Sequence, residues 1–146
     1  MVSQTQAAGD GARIRVGVVG ANLSRGWGTI AHLPALRALD EFEIAAVATT
    51  RAETAQATAE AFGAPLAFSD PAELVAHPDV DVVTITVKVP DHDQLIRAAL
   101  ASGKHVYSEW PLGVDTGQAT SLAALAEEHG VVHVVGLQGW HAPGAL

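Results

Sequence analysis

The sequence contains no cysteine. Disulfides and thiolate metal sites are therefore excluded, which suits a reducing cytoplasm. Basic residues are scarce as well, with 8 Lys and Arg against 16 Asp and Glu and a formal charge of −8. No basic stripe is left to neutralise a phosphate backbone, so direct nucleic-acid binding is not expected. No apolar run reaches the roughly eighteen residues that a membrane-spanning helix needs. Residues Met1 to Ala12 are polar and small, without the apolar centre of a signal peptide, and read as a disordered lead-in. The histidines His32, His77, His92, His105, His129, His133 and His141 lack a ligand spacing such as H-x-x-x-H. Each reads as a surface or satisfied core residue, so neither metal nor membrane enters the expectation.

What is present is a regular alternation. A chain of 146 residues fits one domain. Apolar, largely β-branched runs predict strands at Ile14 to Val19, Phe42 to Ala48, Pro65 to Phe68, Asp81 to Val87, His105 to Ser108 and Val131 to Leu137. Between them lie helical stretches. Trp27 to Leu39 has helical composition broken at Pro34, which predicts a short turn through His32 and a fresh start at the proline, ending near Asp40. Ala52 to Phe62 closes at Gly63. Ser69 or Asp70 caps a helix with Pro71 at its first position, which stops before Pro78. Asp91 to Ser102 and a helix from Asp115 or Thr116 to His129 complete the set. Six strands alternating with five helical connections, and no hairpin signal, predict an α/β doubly wound parallel sheet of Rossmann type.

The first strand runs into a glycine cluster at Gly20, Gly26 and Gly28. Such glycines let the backbone turn sharply and approach a phosphate at a helix start. The usual G-x-G-x-x-G would need a glycine at position 22, where Asn22 stands, and the next glycine comes only at Gly26. Asn tolerates positive φ, which keeps the turn feasible on a longer loop. The alternative is a strand-to-helix turn that holds no ligand.

In a doubly wound sheet ligands sit beyond the C-terminal strand ends, at the switch point of strand order. The candidate binding residues are therefore Gly20, Ala21, Asn22, Gly26 and Trp27 after the first strand and Thr49, Thr50 and Arg51 after the second. Val87, Lys88 and His92 follow the fourth, Glu109 and Trp110 the fifth, and Gln138 the sixth. No acid follows the second strand to bond an adenosine ribose; Thr49-Thr50-Arg51 offers hydroxyls and a guanidinium that suit a phosphate. The choice leans to NADP over NAD, although Arg51 also reads as an exposed residue at a helix start. Lys88 reads as a lysine able to exchange a proton at the site, a phosphate ligand or a solvated charge, and Trp27 and Trp110 as stacking surfaces or loop packing. His92 reads as a binding residue or a polar residue in a helix's first turn. The Trp110-Pro111 bond is a candidate for cis geometry.

The order of elements, with His32-Leu33-Pro34-Ala35-Leu36, Gly103-Lys104-His105-Val106 and Glu109-Trp110-Pro111-Leu112, resembles the N-terminal domain of the Gfo/Idh/MocA oxidoreductase family over about residues 13 to 140. Gly20-Ala21-Asn22 with Gly26-Trp27, Val87-Lys88-Val89-Pro90, Glu109-Trp110 and Leu137-Gln138-Gly139 resemble the branch of the fungal galactose-regulon repressor and its bacterial relatives. The resemblance implies a nicotinamide dinucleotide as ligand and a C-terminal α/β domain carrying substrate residues and the oligomer contact. Residues 141 to 146 read as a tail or the start of that domain. It also implies Glu-Lys-Pro after the fifth strand, with a lysine assisting proton transfer at the substrate hydroxyl.

Trp110 stands in that lysine's place. An indole N–H donates weakly and does not titrate near neutral pH, so it does not exchange a proton as a lysine does. The sequence is therefore expected to bind NAD or NADP without catalysing hydride transfer, with no catalytic residue assigned and with a protein partner or a second copy as possible company. The alternative is the cofactor-binding half of an NAD(P)-dependent sugar or polyol oxidoreductase. A domain that binds nothing is the third reading.

Overall fold

A computed structural model describes residues 12–137. All but the last residue of the expected lead-in, together with Gln138 and the tail from 141 to 146, lie outside the described residues. The strands are β1 (Ile14–Val19), β2 (Phe42–Ala48), β3 (Leu66–Phe68), β4 (Val82–Ile85), β5 (His105–Glu109) and β6 (His133–Gly136). They form one six-stranded sheet in the order β3-β2-β1-β4-β5-β6, with every pairing parallel. The helices are α1 (Leu33–Arg37), α2 (Ala52–Phe62), α3 (Pro71–Ala76), α4 (His92–Ala101) and α5 (Thr116–His129). The expected doubly wound architecture is therefore the observed one.

Strand periodicity sorts the core into two layers. On one face Val19, Val83, Ile85 and Val106 pack with Leu74, Ile96, Leu100 and Leu122 beneath α3, α4 and α5. On the other Val16, Val18 and Val47 pack with Leu33 under α1. Side chains pointing alternately up and down a strand require apolar residues at nearly every position when both faces are covered, which is why these strands read as unbroken runs.

Four boundaries differ from expectation. No break occurs at Pro34: a π-helical turn, Gly28–His32, runs straight into α1, with the Leu33 N–H donating to the Gly28 carbonyl. The wider turn lets the chain enter α1 with Pro34 in its first turn, where a missing N–H costs nothing. The helix then ends at Arg37, short of Asp40, as Ala38 and Leu39 tighten onto the carbonyls of Ala35 and Leu36. β4 ends at Ile85, where the Thr86 N–H makes the last ladder bond to the Val19 carbonyl at 2.9 Å and the Thr86 hydroxyl donates to the same oxygen at 2.8 Å. β6 begins only at His133, since the N–H of Val131 returns to Ala126 and that of Val132 donates to Nδ1 of His105.

The motif Gly103-Lys104-His105 belongs to the scaffold. Lys104 Nζ donates to the carbonyls of His77 and Val80, at 2.8 and 2.7 Å, and fastens the end of α3 beside β5.

Candidate functional site

The strand order reverses between β1 and β4, and the candidate residues after β1, β2, β4 and β5 lie along that C-terminal edge. Gly20 is the pivot. Its φ is +94°, and a Cβ there would stand 2.7 Å from both the Thr86 carbonyl oxygen and Val87 Cγ1. Both the left-handed backbone and the close approach of β4 demand glycine. Gly28 serves contact alone: a Cβ would lie 2.6 Å from Thr86 Oγ1 and 3.0 Å from Ala21. It seats the helix start against the strand end, as the last glycine of a dinucleotide fingerprint does.

Asn22 does not adopt the positive φ suggested for it, since no residue other than glycine does so among those described. It organises the longer loop with its side chain instead. Asn22 Oδ1 accepts from the N–H and the hydroxyl of Ser24, each at 2.9 Å, and the Asn22 carbonyl accepts from Arg25 and from the Thr29 hydroxyl. This Asx turn leaves the rest of the bend to Gly26, φ +100°, around which a Cβ would meet open space. Trp27 follows, half exposed, just before the π-helical turn.

The long loop and the start of α2 flank an open cavity of about 480 Å³, lined by Asn22, Leu23, Ser24, Arg25, Arg51, Glu53, Thr54 and Ala57. Asn22 and Arg51, 29 positions apart in sequence, are thereby brought together. Arg25 is a cavity residue that the sequence did not flag. Its signal was the insertion itself, which is long enough to swing a cation toward the end of β2. Thr49 is buried, and its hydroxyl is spent locally, donating to the Arg51 carbonyl at 2.8 Å beside Thr54 Oγ1 at 2.6 Å. Of the two expected hydroxyls only that of Thr50, on an exposed residue, faces outward from this turn. Arg51 is exposed, with Glu53 4.0 Å away at the rim.

On the other side of the switch point, Lys88 is exposed and Val87 half-buried. Glu109 accepts from His32 Nε2 at 3.1 Å, a pair only 14% and 18% exposed that joins β5 to the π-helical turn. His32 was read only as a surface or core residue; its partner lies 77 positions away, beyond the reach of local spacing. Tyr107 packs edge-on against His32, and burial, reinforced by the Glu109 carboxylate, pushes its phenol above the ordinary 10. Trp110 is 66% exposed on the loop after β5, and the Trp110-Pro111 bond is cis. His92 is not at the cleft surface. It is fully buried, with Nε2 3.1 Å from the Val87 carbonyl and Nδ1 3.3 Å from that of Leu112. Among the described residues no cluster of His, Asp and Glu could hold a metal ion, and no helix is long and apolar enough to cross a membrane.

The tight glycine turn after β1 and the cavity lined by Arg25 and Arg51 lie at the strand edge where a doubly wound sheet takes its ligand. Comparison with known proteins agrees. Residues 14–137 match the family model described as "Oxidoreductase family, NAD-binding Rossmann fold". The chain is similar to the dehydrogenase aclE of Aspergillus oryzae, 38% identical over 140 residues, covering 92% of this chain and 38% of that protein. It is also similar to the galactose/lactose metabolism regulatory protein GAL80 of Saccharomyces cerevisiae, 29% identical over 97% of this chain and 34% of that protein. Among solved structures it resembles the 3-ketoreductase KijD10 of Actinomadura kijaniata, crystallised with TDP-benzene and NADP, with a TM-score of 0.84 and 34% identity over 90% of this chain and 40% of that one. The chain thus spans a little over a third of the length of these relatives. With the fold, the glycine turn and the family match in agreement, the chain belongs to the Gfo/Idh/MocA family of oxidoreductases and is its NAD-binding Rossmann domain.

Proposed function

We propose that this chain holds a nicotinamide dinucleotide for recognition rather than turnover, and that it takes NADP in preference to NAD. The observation that carries the preference is the cavity shared by Arg25 and Arg51. Two guanidinium groups beside the end of β2, with no carboxylate directly after the strand, suit a 2′-phosphate and leave a bare ribose without its acceptor. Glu53 at the rim opposes this only weakly, being 81% exposed and already beside Arg51. The absence of turnover rests on Trp110, an exposed indole in the position where the family's lysine would hold a proton. The similarity to GAL80, a regulatory protein, supports the same view and suggests a protein partner.

Calorimetric titration with NADPH and NADH tests the preference. Binding of NADPH is expected in the micromolar range or weaker, about −8 kcal/mol or less in magnitude. A charge-assisted hydrogen bond contributes about 1.5–3 kcal/mol, so Arg51→Ala, and separately Arg25→Ala, should weaken NADPH by about tenfold or more. NADH should change little. Equal loss for both nucleotides would reject the 2′-phosphate assignment. The second reading, half of a sugar or polyol oxidoreductase, is favoured by the dehydrogenase and ketoreductase relatives. Cofactor turnover by a longer relative that also carries tryptophan after β5, assayed on a panel of sugars and polyols, would establish it.

A further inference from the structure

The two mononucleotide halves of a doubly wound sheet place adenosine on the β2 side of the switch point, so the β4 and β5 loops face the nicotinamide half. Those loops carry Lys88 and Trp110. They are joined through one side chain. His92, the first residue of α4, is 1% exposed and presents Nε2 to the Val87 carbonyl at 3.1 Å and Nδ1 to the Leu112 carbonyl at 3.3 Å. Val87 immediately precedes Lys88, and Leu112 lies two residues past Trp110. Among the described residues no other hydrogen bond links the two loops.

We propose that His92 is a positioning residue of the nicotinamide half, which ties the β4 loop to the β5 loop and so sets where Lys88 and Trp110 stand, without itself touching the ligand. This rests on the dinucleotide-binding role proposed above. Each ring nitrogen stands within hydrogen-bond distance of a carbonyl, one on either loop, and the tautomer decides which carbonyl receives the N–H. A buried ring wedged between main-chain carbonyls of two separate loops, hydrogen-bonded to one and in contact with the other, is a coupling between them. Simple filling of the core would be met by phenylalanine or leucine.

The test compares NADPH with 2′,5′-ADP, which carries only the adenosine and phosphate end, in calorimetric titrations of the whole chain. In His92→Phe the affinity for 2′,5′-ADP should stay within about twofold of the unaltered protein, while that for NADPH falls about tenfold through lost preorganisation. His92→Gln, whose amide can donate to one of the carbonyls, should recover part of the loss. In NMR spectra of the free protein the indole N–H of Trp110 should move in His92→Phe, and that of Trp27 should not. Unchanged NADPH affinity, or a parallel fall for both ligands, overturns the positioning role. If His92→Phe does not fold, the same comparison made with His92→Gln decides. An unaltered protein that binds neither compound refutes the dinucleotide role itself, whereas one that binds both and ignores the substitution refutes the role of His92 alone.

Discussion

At Gly20 the fold and the ligand site make the same demand. An alanine there would carry φ +94° and drive its methyl to within 2.7 Å of the Thr86 carbonyl oxygen. Strained backbone of this kind costs about 1–3 kcal/mol before any clash is counted. Gly20→Ala should therefore lower the thermal midpoint in a circular-dichroism melt and abolish measurable NADPH binding. Gly26→Ala, with open space around it, supplies the control, losing only the backbone contribution. The turn at Gly20 and the exposed position of Arg51 at the start of α2 were legible in the sequence, because both are local matters. Thr49, Asn22 and His92 were expected only as binding residues, by their places after strand ends. What each does depends on a neighbour: the Arg51 carbonyl and the Thr54 hydroxyl for Thr49, the Ser24 amide for Asn22, and a carbonyl 20 positions away for His92.

Elements were more readable than residues, since a buried parallel strand and a capped helix each leave a signature that their own residues complete. α5 shows this: Asp115 Oδ1 accepts from the Gln118 N–H at 2.8 Å, and Gly130 ends the helix with φ +64°. Asp115→Ala removes the cap and should cost about 1 kcal/mol, seen as a lower denaturation midpoint and as faster amide exchange confined to the first turn of α5. Conserved exchange there would mean that the cap is dispensable. Strand ends were less readable, because side chains from other elements capture them. The Thr86 hydroxyl adds a second bond to the Val19 carbonyl at the end of β4, and His105 holds the N–H of Val132 ahead of β6. The run through Pro34 was misjudged for a related reason: a π-helical turn upstream absorbs the proline, and no residue type announces such a turn.

On the scale of the whole molecule, stability should depend on pH through two groups. Burial depresses His133 below its ordinary 6.5, and the hydrogen-bonded guanidinium of Arg15 depresses Asp81 below 3.8. In each case the unfolded chain takes up its proton first, so stability present at higher pH is lost as pH falls, initially below about 6.5 and again in the acid range. Melts recorded from about pH 7.5 to about pH 5 should show a falling midpoint, and His133→Gln should flatten that first decline. A midpoint that rises over the same interval would contradict the burial of the imidazole. Sheet order was expected only as a class, because the sequence states that strands alternate with helices but not which strand lies beside which.

That order governs how the chain must come to its shape. β1, which precedes the other described strands in sequence, lies in the middle of the sheet, between β2 and β4. Arg15 meets Asp81 across 66 residues. The early half can close β1 upon β2 and β3, yet the opposite edge of β1 stays open until β4 has been made. Pairings so distant in sequence form slowly, because loop closure precedes any gain from contact. The nascent chain therefore carries one edge of β1 unpaired from Val19 until β4 at Val82–Ile85 has been made, and this interval is when a chaperone has most to protect.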